Sequence, residues 1–472
     1  MLVIKLKTKR DSRRKSMKNK KVLALMLVVV MILVTACGNN AGSSSQTEAE
    51  QGTSEASSDE VTDEGTDEGS EEEVAEINQA SEGTLSVMIW DSYQEPGISK
   101  IMDDFTAETG IQTEIQVVSW DEYWTLLSAG AEGGSLPDVF WMHSNESERY
   151  MSNDMLLNLS DRIAASTEIE TTNYPEDIWS LYTYEDGYYA IPKDIDTIAM
   201  WYNKALFDEA GVDYPTADWT WDDLYEKAKA LTKDDGSVYG YCNASSNQQA
   251  GWYNMIFSKG GYIISDDKMT SGYDDPKTIE AMAMMDKFVQ EDLMPSQEIM
   301  SETGEEVLFM SGKVAMVPQG SWMLAAMAEN EYTAENADVV ELPKDSETGR
   351  RVSVYNGLGW VVDATTDMPD EAWQLVEYFG SKEGQLKQAE LGITMSAYTG
   401  TSDTWVNSSP QFNLQAYLNM QDDMEIRPFS KNTVIWENTA ADWFLQAWMK
   451  EITMEEACMN SASDMNRILG EQ

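Results

Sequence analysis

The chain has 472 residues, 42% of them hydrophobic, and 83 acidic side chains against 32 basic ones give a formal net charge of −51. That length predicts more than one lobe with real cores, and the acidity excludes a phosphate-binding surface of clustered Lys and Arg, so no nucleic-acid partner is expected. One histidine and three cysteines are too few for a zinc or iron–sulfur centre; no metal, cofactor or catalytic residue is assigned, and a Ser or Cys triad would have to use His143 alone.

Residues 1–21 carry ten Lys or Arg and one acid, and Val22 to Val34 is an apolar run of thirteen. Such a run is short for a bilayer span but suits a signal-peptide core. It ends in Val34-Thr35-Ala36-Cys37, which resembles the bacterial lipobox, where the cysteine is lipidated and the chain is cut just before it. Residues 1–36 are therefore expected to be removed and Cys37 to carry the lipid; the alternative is an uncleaved anchor. Met17, followed by Lys18, Lys20 and Lys21, offers a second possible start. Cleavage before Cys37 would leave 82 acids against 22 bases. From Gly38 to Thr84 there is no Lys, Arg or aromatic residue. Such a stretch cannot bury enough apolar surface to order itself, so residues 37–83 read as a disordered acidic tether, with an average reach of roughly 35–40 Å.

Leu85, Val87 and Ile89 alternate as a strand, and a helix is expected from about Gly97 to Thr109 with Ile101, Met102 and Phe105 on one face and Gly110 as its stop. Ile111 to Val118 alternates again, Asp121 to Ala131 reads as a helix, and Asp138 to Trp141 as a short buried strand. This order predicts an α/β lobe with a mostly parallel sheet, in which ligands gather at the carboxyl ends of strands. That rule places Trp90, with Asp91 and Glu95 after it, and Trp141 to Asn145 at a candidate rim. Thr220-Trp221-Asp222-Asp223 starts a helix with a capping arrangement, and Pro369 opens another that ends at Gly380. Cys242 and Cys458 read as structural thiols or as a disulfide.

Several ordered segments carry a resemblance: Phe105-Thr106-Ala107-Glu108-Thr109-Gly110-Ile111, Leu136-Pro137-Asp138-Val139, Tyr189-Ala190-Ile191-Pro192, and Met200-Trp201-Tyr202-Asn203-Lys204 through Ala210-Gly211-Val212. Gly312-Lys313-Val314-Ala315-Met316 with Gly320-Ser321-Trp322, and Asn356-Gly357-Leu358-Gly359-Trp360, follow in the same order. Together they resemble the extracellular solute-binding proteins of ABC importers, in the carbohydrate-binding family that includes maltose-binding protein, over nearly all of residues 84–472. The resemblance implies a two-lobe periplasmic-binding-protein-like fold of type II, with discontinuous lobes and an interlobe ligand cleft. Residues 84–196 with 350–400 would form one lobe, and 197–349 with 401–472 the other.

A saccharide presents hydroxyl groups around its ring and apolar C–H faces above and below, which suit carboxylates and amides, and aromatic rings, respectively. By the resemblance, Trp141, Trp322 and Trp436 fall where the family carries stacking tryptophans, and Trp252 and Tyr253 where it carries further aromatic contacts. Asp196 matches a position that gives a carboxylate to sugar hydroxyls; Asp194, nearby at the crossover, is a further contact or a hinge charge. After Trp141 and His143 the maltose-binding pattern has Asp-Arg where this chain has Ser144-Asn145. That departure argues against maltodextrin specificity and leaves Asn145 as a polar contact. Asn356 and Gly357 open a loop where glycine would admit a ligand close to the backbone. His143 reads as a pH-sensitive contact or as a rim hydrogen bond.

The expected protein is a monomeric lipoprotein on the outer side of the bacterial cell membrane. It would bind a carbohydrate, an oligosaccharide given the spread of stacking candidates, and deliver it to the ABC permease transmembrane subunits without breaking a bond. Two other classes stay open: a glycoside hydrolase, because two carboxylates at the right separation suffice, and a surface sugar sensor that works without a transporter.

Overall fold

The computed structural model describes residues 76–78 and 80–471; the leader, Cys37 and most of the acidic tether lie outside them. β1 (Thr84–Ile89) buries Leu85, Val87 and Ile89 as the alternation requires. Met88 is buried as well, because β1 is an inner strand covered on both faces. Ser86 is held by a clamp: its N–H and Oγ donate to Asp138 Oδ2 at 2.8 and 2.7 Å. The Leu-Pro-Asp-Val segment thereby ties β1 to the start of β3 (Val139–Met142). Between them, α1 (Glu95–Thr109) starts two residues earlier than expected, with Pro96 in its first turn, and stops at Gly110 with φ +80°. β2 (Gln112–Val117) and α2 (Trp120–Gly133) complete the first pass.

The first sheet has the order β2-β1-β3-β9-β4, with β4 at Ala190–Pro192 and β9 at Gly359–Val362. β1, β2 and β3 run parallel and β9 runs antiparallel to both its neighbours. α6 (Pro369–Gly380) covers it, and Phe379 stacks on Trp360 of β9 with centroids 4.1 Å apart. The second sheet sets β5 (Ile198–Asn203) antiparallel to β6 (Met316–Gly320) on one side and β7 (Ala337–Val340) on the other. Every residue of β5 is buried, and Asn203 at its end caps α3 (Lys204–Ala210) by accepting from Leu206 N–H at 3.2 Å. α4 (Trp221–Leu231) has the Thr220–Asp223 capping box.

Two crossing segments join the sheets: Asp196 pairs with Asn356, and Asp194 with Ser396. β8 (Ser353–Tyr355) and β10 (Met424–Ile426) add a short parallel pair. α7 (Thr433–Trp448) and α8 (Met454–Leu469) then close a second hydrophobic core. Cys242 and Cys458 are free and buried and belong to different cores. Among the described residues no helix is long and apolar enough to cross a membrane.

Candidate functional site

A cavity of about 300 Å³ lies where the two halves meet. Trp90, at the end of β1, and His143, just past β3, reach it from the carboxyl ends of parallel strands, as expected for an α/β sheet. Asp194, Asp196 and Asn356 come from the crossing segments, and Trp322 from the turn after β6.

The aromatic wall is held rigidly. Trp90 is met edge-on by Trp120, Tyr123 and Trp141, at 5.0, 4.9 and 4.9 Å between centroids. Trp120 is 39% exposed. On the opposite side, Gly320 explains the placing of Trp322. A β-carbon there would fall 1.9 Å from the indole, so only glycine lets that ring lie against the strand end.

A polar chain runs behind Trp90. Asp91 Oδ2 accepts from Gln94 Nε2 at 2.8 Å, Gln94 Oε1 accepts from Lys193 Nζ at 3.0 Å, and Lys193 pairs with Asp194 at 2.6 Å. Asp194 accepts in addition from Leu358 N–H at 2.6 Å, so both its oxygens are engaged. Asp196 Oδ1 accepts from Ser321 Oγ at 2.5 Å and Thr394 Oγ1 at 2.7 Å, which fastens β6 and the 394 segment to the crossover. Burial, reinforced by the Asp194 charge, pushes its pKa up to about 8 against the opposing pull of Lys193 and the two hydroxyls. A neutral acid in a cleft can donate as well as accept.

His143 is fixed at both ring nitrogens: Nδ1 is 2.8 Å from Asn145 Oδ1, and Nε2 is 3.0 Å from Asn356 Nδ2. Burial and the Arg427 guanidinium push its pKa well below the ordinary value, and the Asn145 bond only partly opposes them. A neutral ring that donates from Nδ1 and accepts at Nε2 satisfies these two contacts, at the expense of the longer contact in which Asn145 N–H points at Nδ1 from 3.3 Å. Because folding lowers this pKa, the unfolded chain takes up the proton first as pH falls. Stability associated with His143 is therefore expected to be lost below about pH 6.5. Urea midpoints at pH 7.5 and 5.5 test this: the drop should be smaller in His143→Gln than in the wild type, and equal drops would contradict it.

Among the described residues, three cavity-lining side chains carry buried polar atoms without a partner: Asn356 Oδ1, Gln249 Nε2, and Nε and Nη1 of Arg427. The remaining donor of Arg427, Nη2, pairs with Glu437 at 2.7 Å. Unsatisfied buried groups are costly and are expected to find partners when a polar ligand enters.

The other expected site residues do not line this cavity. Trp141 is fully buried between Trp90 and Trp360, with Lys193 Nζ 4.5 Å from its ring centre. Trp252, Tyr253 and Trp436 are also fully buried: Trp252 packs on Phe444 and Tyr253, Tyr253 donates to Glu437 at 3.1 Å, and Trp436 donates to Ser430 Oγ at 3.1 Å. With no free face, these rings form core rather than stacking platforms in this conformation. Glu95 sits in the first turn of α1 and accepts from Ser99 one turn on. Asn145 lines a neighbouring depression together with Trp120 and Trp124. Gly357 admits protein rather than a ligand, because a β-carbon there would lie 2.2 Å from the Asp194 carbonyl oxygen.

Sequence reasoning missed Gln94, Trp120, Asn247, Gln248, Gln249, Leu358 and Arg427, all of which line the cavity. The polar run Asn243 to Gln249 before the Trp252-Tyr253 pair was the available signal. Gly251, at φ −95° and ψ −116°, breaks the helical path there. The amides consequently face the cavity while the aromatic pair turns into the core.

The family model for bacterial extracellular solute-binding proteins matches residues 91–386. The galactooligosaccharide-binding protein of Bacillus subtilis is 23% identical over 337 residues, covering 68% of this chain and 74% of its own length. The arabinooligosaccharide-binding protein of Halalkalibacterium halodurans is 24% identical over 351 residues, covering 71% and 76%. In structure, the chain is similar to an ABC substrate-binding protein of Listeria monocytogenes in complex with cycloalternan, with a TM-score of 0.76, 21% identity, and coverage of 82% of this chain and 99% of that one. The fold is thus the two-lobe α/β fold that the sequence resemblance implied. The chain belongs to the bacterial extracellular solute-binding proteins, the binding components of ABC importers.

Proposed function

We propose that this protein captures an oligosaccharide between its lobes and delivers it intact to the membrane subunits of an ABC importer, held at the outer face of the cell membrane by a lipid on Cys37. The single observation that carries the reading is the pairing, in one cavity, of the tryptophans Trp90, Trp120 and Trp322 with unpartnered amide and guanidinium groups. Aromatic faces suit sugar C–H surfaces, and the amides suit hydroxyl groups. The relatives with known names bind oligosaccharides, which supports the same ligand class here. Asp194 has both oxygens engaged, so the cleft does not hold, among its described residues, two free carboxylates of the kind acid–base cleavage of a glycosidic bond uses, which favours binding.

Residues 84–196 with 350–400, and 197–349 with 401–472, would be the two lobes, and closure around the ligand would mark the state the permease receives. Trp322→Ala is expected to weaken oligosaccharide binding by at least about 1 kcal/mol while leaving the unfolding midpoint near that of the wild type. Calorimetric titration of both proteins measures it, and equal affinities would remove Trp322 from the site.

A further inference from the structure

Behind the amide-bearing turn lies a carboxylate that ligand contact does not explain. Glu305 opens α5 (Glu305–Met310) and is 6% exposed. It has no basic partner among its described contacts. Instead, it accepts from Ala244 N–H at 2.7 Å and from Asn247 Nδ2. Asn247 in turn caps the next turn by accepting from Ala250 N–H at 3.2 Å, and its carbonyl receives Asn243 Nδ2 at 3.2 Å. The turn is further anchored by Gln297 Oε1, which accepts from Ser245 N–H at 3.1 Å. Asn247, Gln248 and Gln249 project from it onto the cavity wall.

We propose that Glu305 is a positioning residue for ligand capture: by accepting from Ala244 and Asn247 it fixes the 244–249 turn in the orientation that presents Asn247, Gln248 and Gln249 to the ligand. The inference rests on the oligosaccharide reading only for the identity of the ligand. Two charge-assisted hydrogen bonds accepted by one buried carboxylate are stronger than neutral ones. Burial, with a smaller push from the neighbouring Glu306, raises the Glu305 pKa to about 7, against the lowering effect of Asn247 and Ala244. Tyr241 and Cys242, the titratable groups before the turn, stay protonated, because burial and the Glu305 charge raise both. Protonation turns one acceptor oxygen into a donor facing a donor, so the turn loosens as pH falls through about 7. Asp196 also titrates near the cavity, which makes a local readout necessary.

The test is amide hydrogen exchange of the full, ligand-free chain between pH 6 and 8.5, corrected for intrinsic rates, in wild type, Glu305→Gln and Glu305→Ala. Residues 244–250 are expected to lose protection at the acid end in the wild type, to show no such pH step in Glu305→Gln, which keeps the shape but cannot titrate, and to be unprotected throughout in Glu305→Ala. β1, which lies in the other sheet, serves as the internal control and should be unchanged. Maltotriose and galactotriose are then titrated; the better-bound probe should bind about tenfold or more weakly to Glu305→Ala, as expected for losing a bond to a charged group. Wild-type protection at 244–250 retained in Glu305→Ala overturns the proposal, as does undiminished binding in Glu305→Ala. If neither sugar binds the wild type, it is the ligand reading that fails, and the exchange profile alone decides the role of Glu305.

Discussion

Asp194→Ala is expected to cost about 3–5 kcal/mol of stability. Lys193 and Asp194 are both completely buried, and their ion pair measures 2.6 Å. Removing the carboxylate leaves Lys193 with the uncharged Gln94 Oε1 at 3.0 Å and the face of Trp141, while Asp196, on which Lys193 also acts, is hydrogen-bonded to Ser321 and Thr394 and forms no ion pair with the ammonium. Leu358 N–H also loses its acceptor. The cost therefore belongs mainly to the stranded charge, not to the pair itself, because a buried pair gains little net energy over its apolar replacement. The double variant Lys193→Met with Asp194→Ala should recover most of the loss. Urea unfolding of the three proteins checks this, and a double variant no more stable than the single one would contradict the account.

Trp436→Ala is expected to lower stability by about 3–5 kcal/mol, the range for truncating a large core aromatic. Its indole is fully buried in the core closed by α7 and α8, and its ring nitrogen donates to Ser430. Trp322 makes the contrast: it is half-buried, lines the cavity, and its ring lies over a glycine. Trp322→Ala should thus change affinity with little effect on folding, and Trp436→Ala should change folding, with the remaining folded protein still binding sugar. Measuring both quantities on both variants separates the roles. A Trp436→Ala protein of normal stability and lost affinity would restore the stacking role that the sequence resemblance implied.

The fold was legible because its signals are local. Alternation marked β1 and β2, Gly110 marked the end of α1, and Thr220 with Asp223 marked the start of α4. The Leu-Pro-Asp-Val segment pointed to β3, although the reason for its aspartate, the clamp on Ser86, appears only when the strands are paired. The site was less legible, because identity does not say which face a ring presents. Trp90 and Trp141 terminate neighbouring strands, yet Trp90 reaches the cavity while Trp141 is sealed behind it by Trp360 and Lys193. Arg427 is distant in sequence from every strand of the first sheet, and only the pairing of β8 with β10 carries it to the cleft. Gln248 and Gln249 depend on a break at Gly251 that no periodicity announces.

The central claim, capture of an intact oligosaccharide in the cavity between Trp90 and Trp322, is tested most directly by thermal unfolding against a panel of mono- and oligosaccharides, with chromatography of each sugar afterwards. A ligand at a hundred times its dissociation constant adds about 2.7 kcal/mol of stability. The account predicts a clear upward shift with at least one oligosaccharide, recovered uncut, and a much smaller shift for Trp322→Ala. No shift with any sugar, or a shift accompanied by cleavage products, would contradict it.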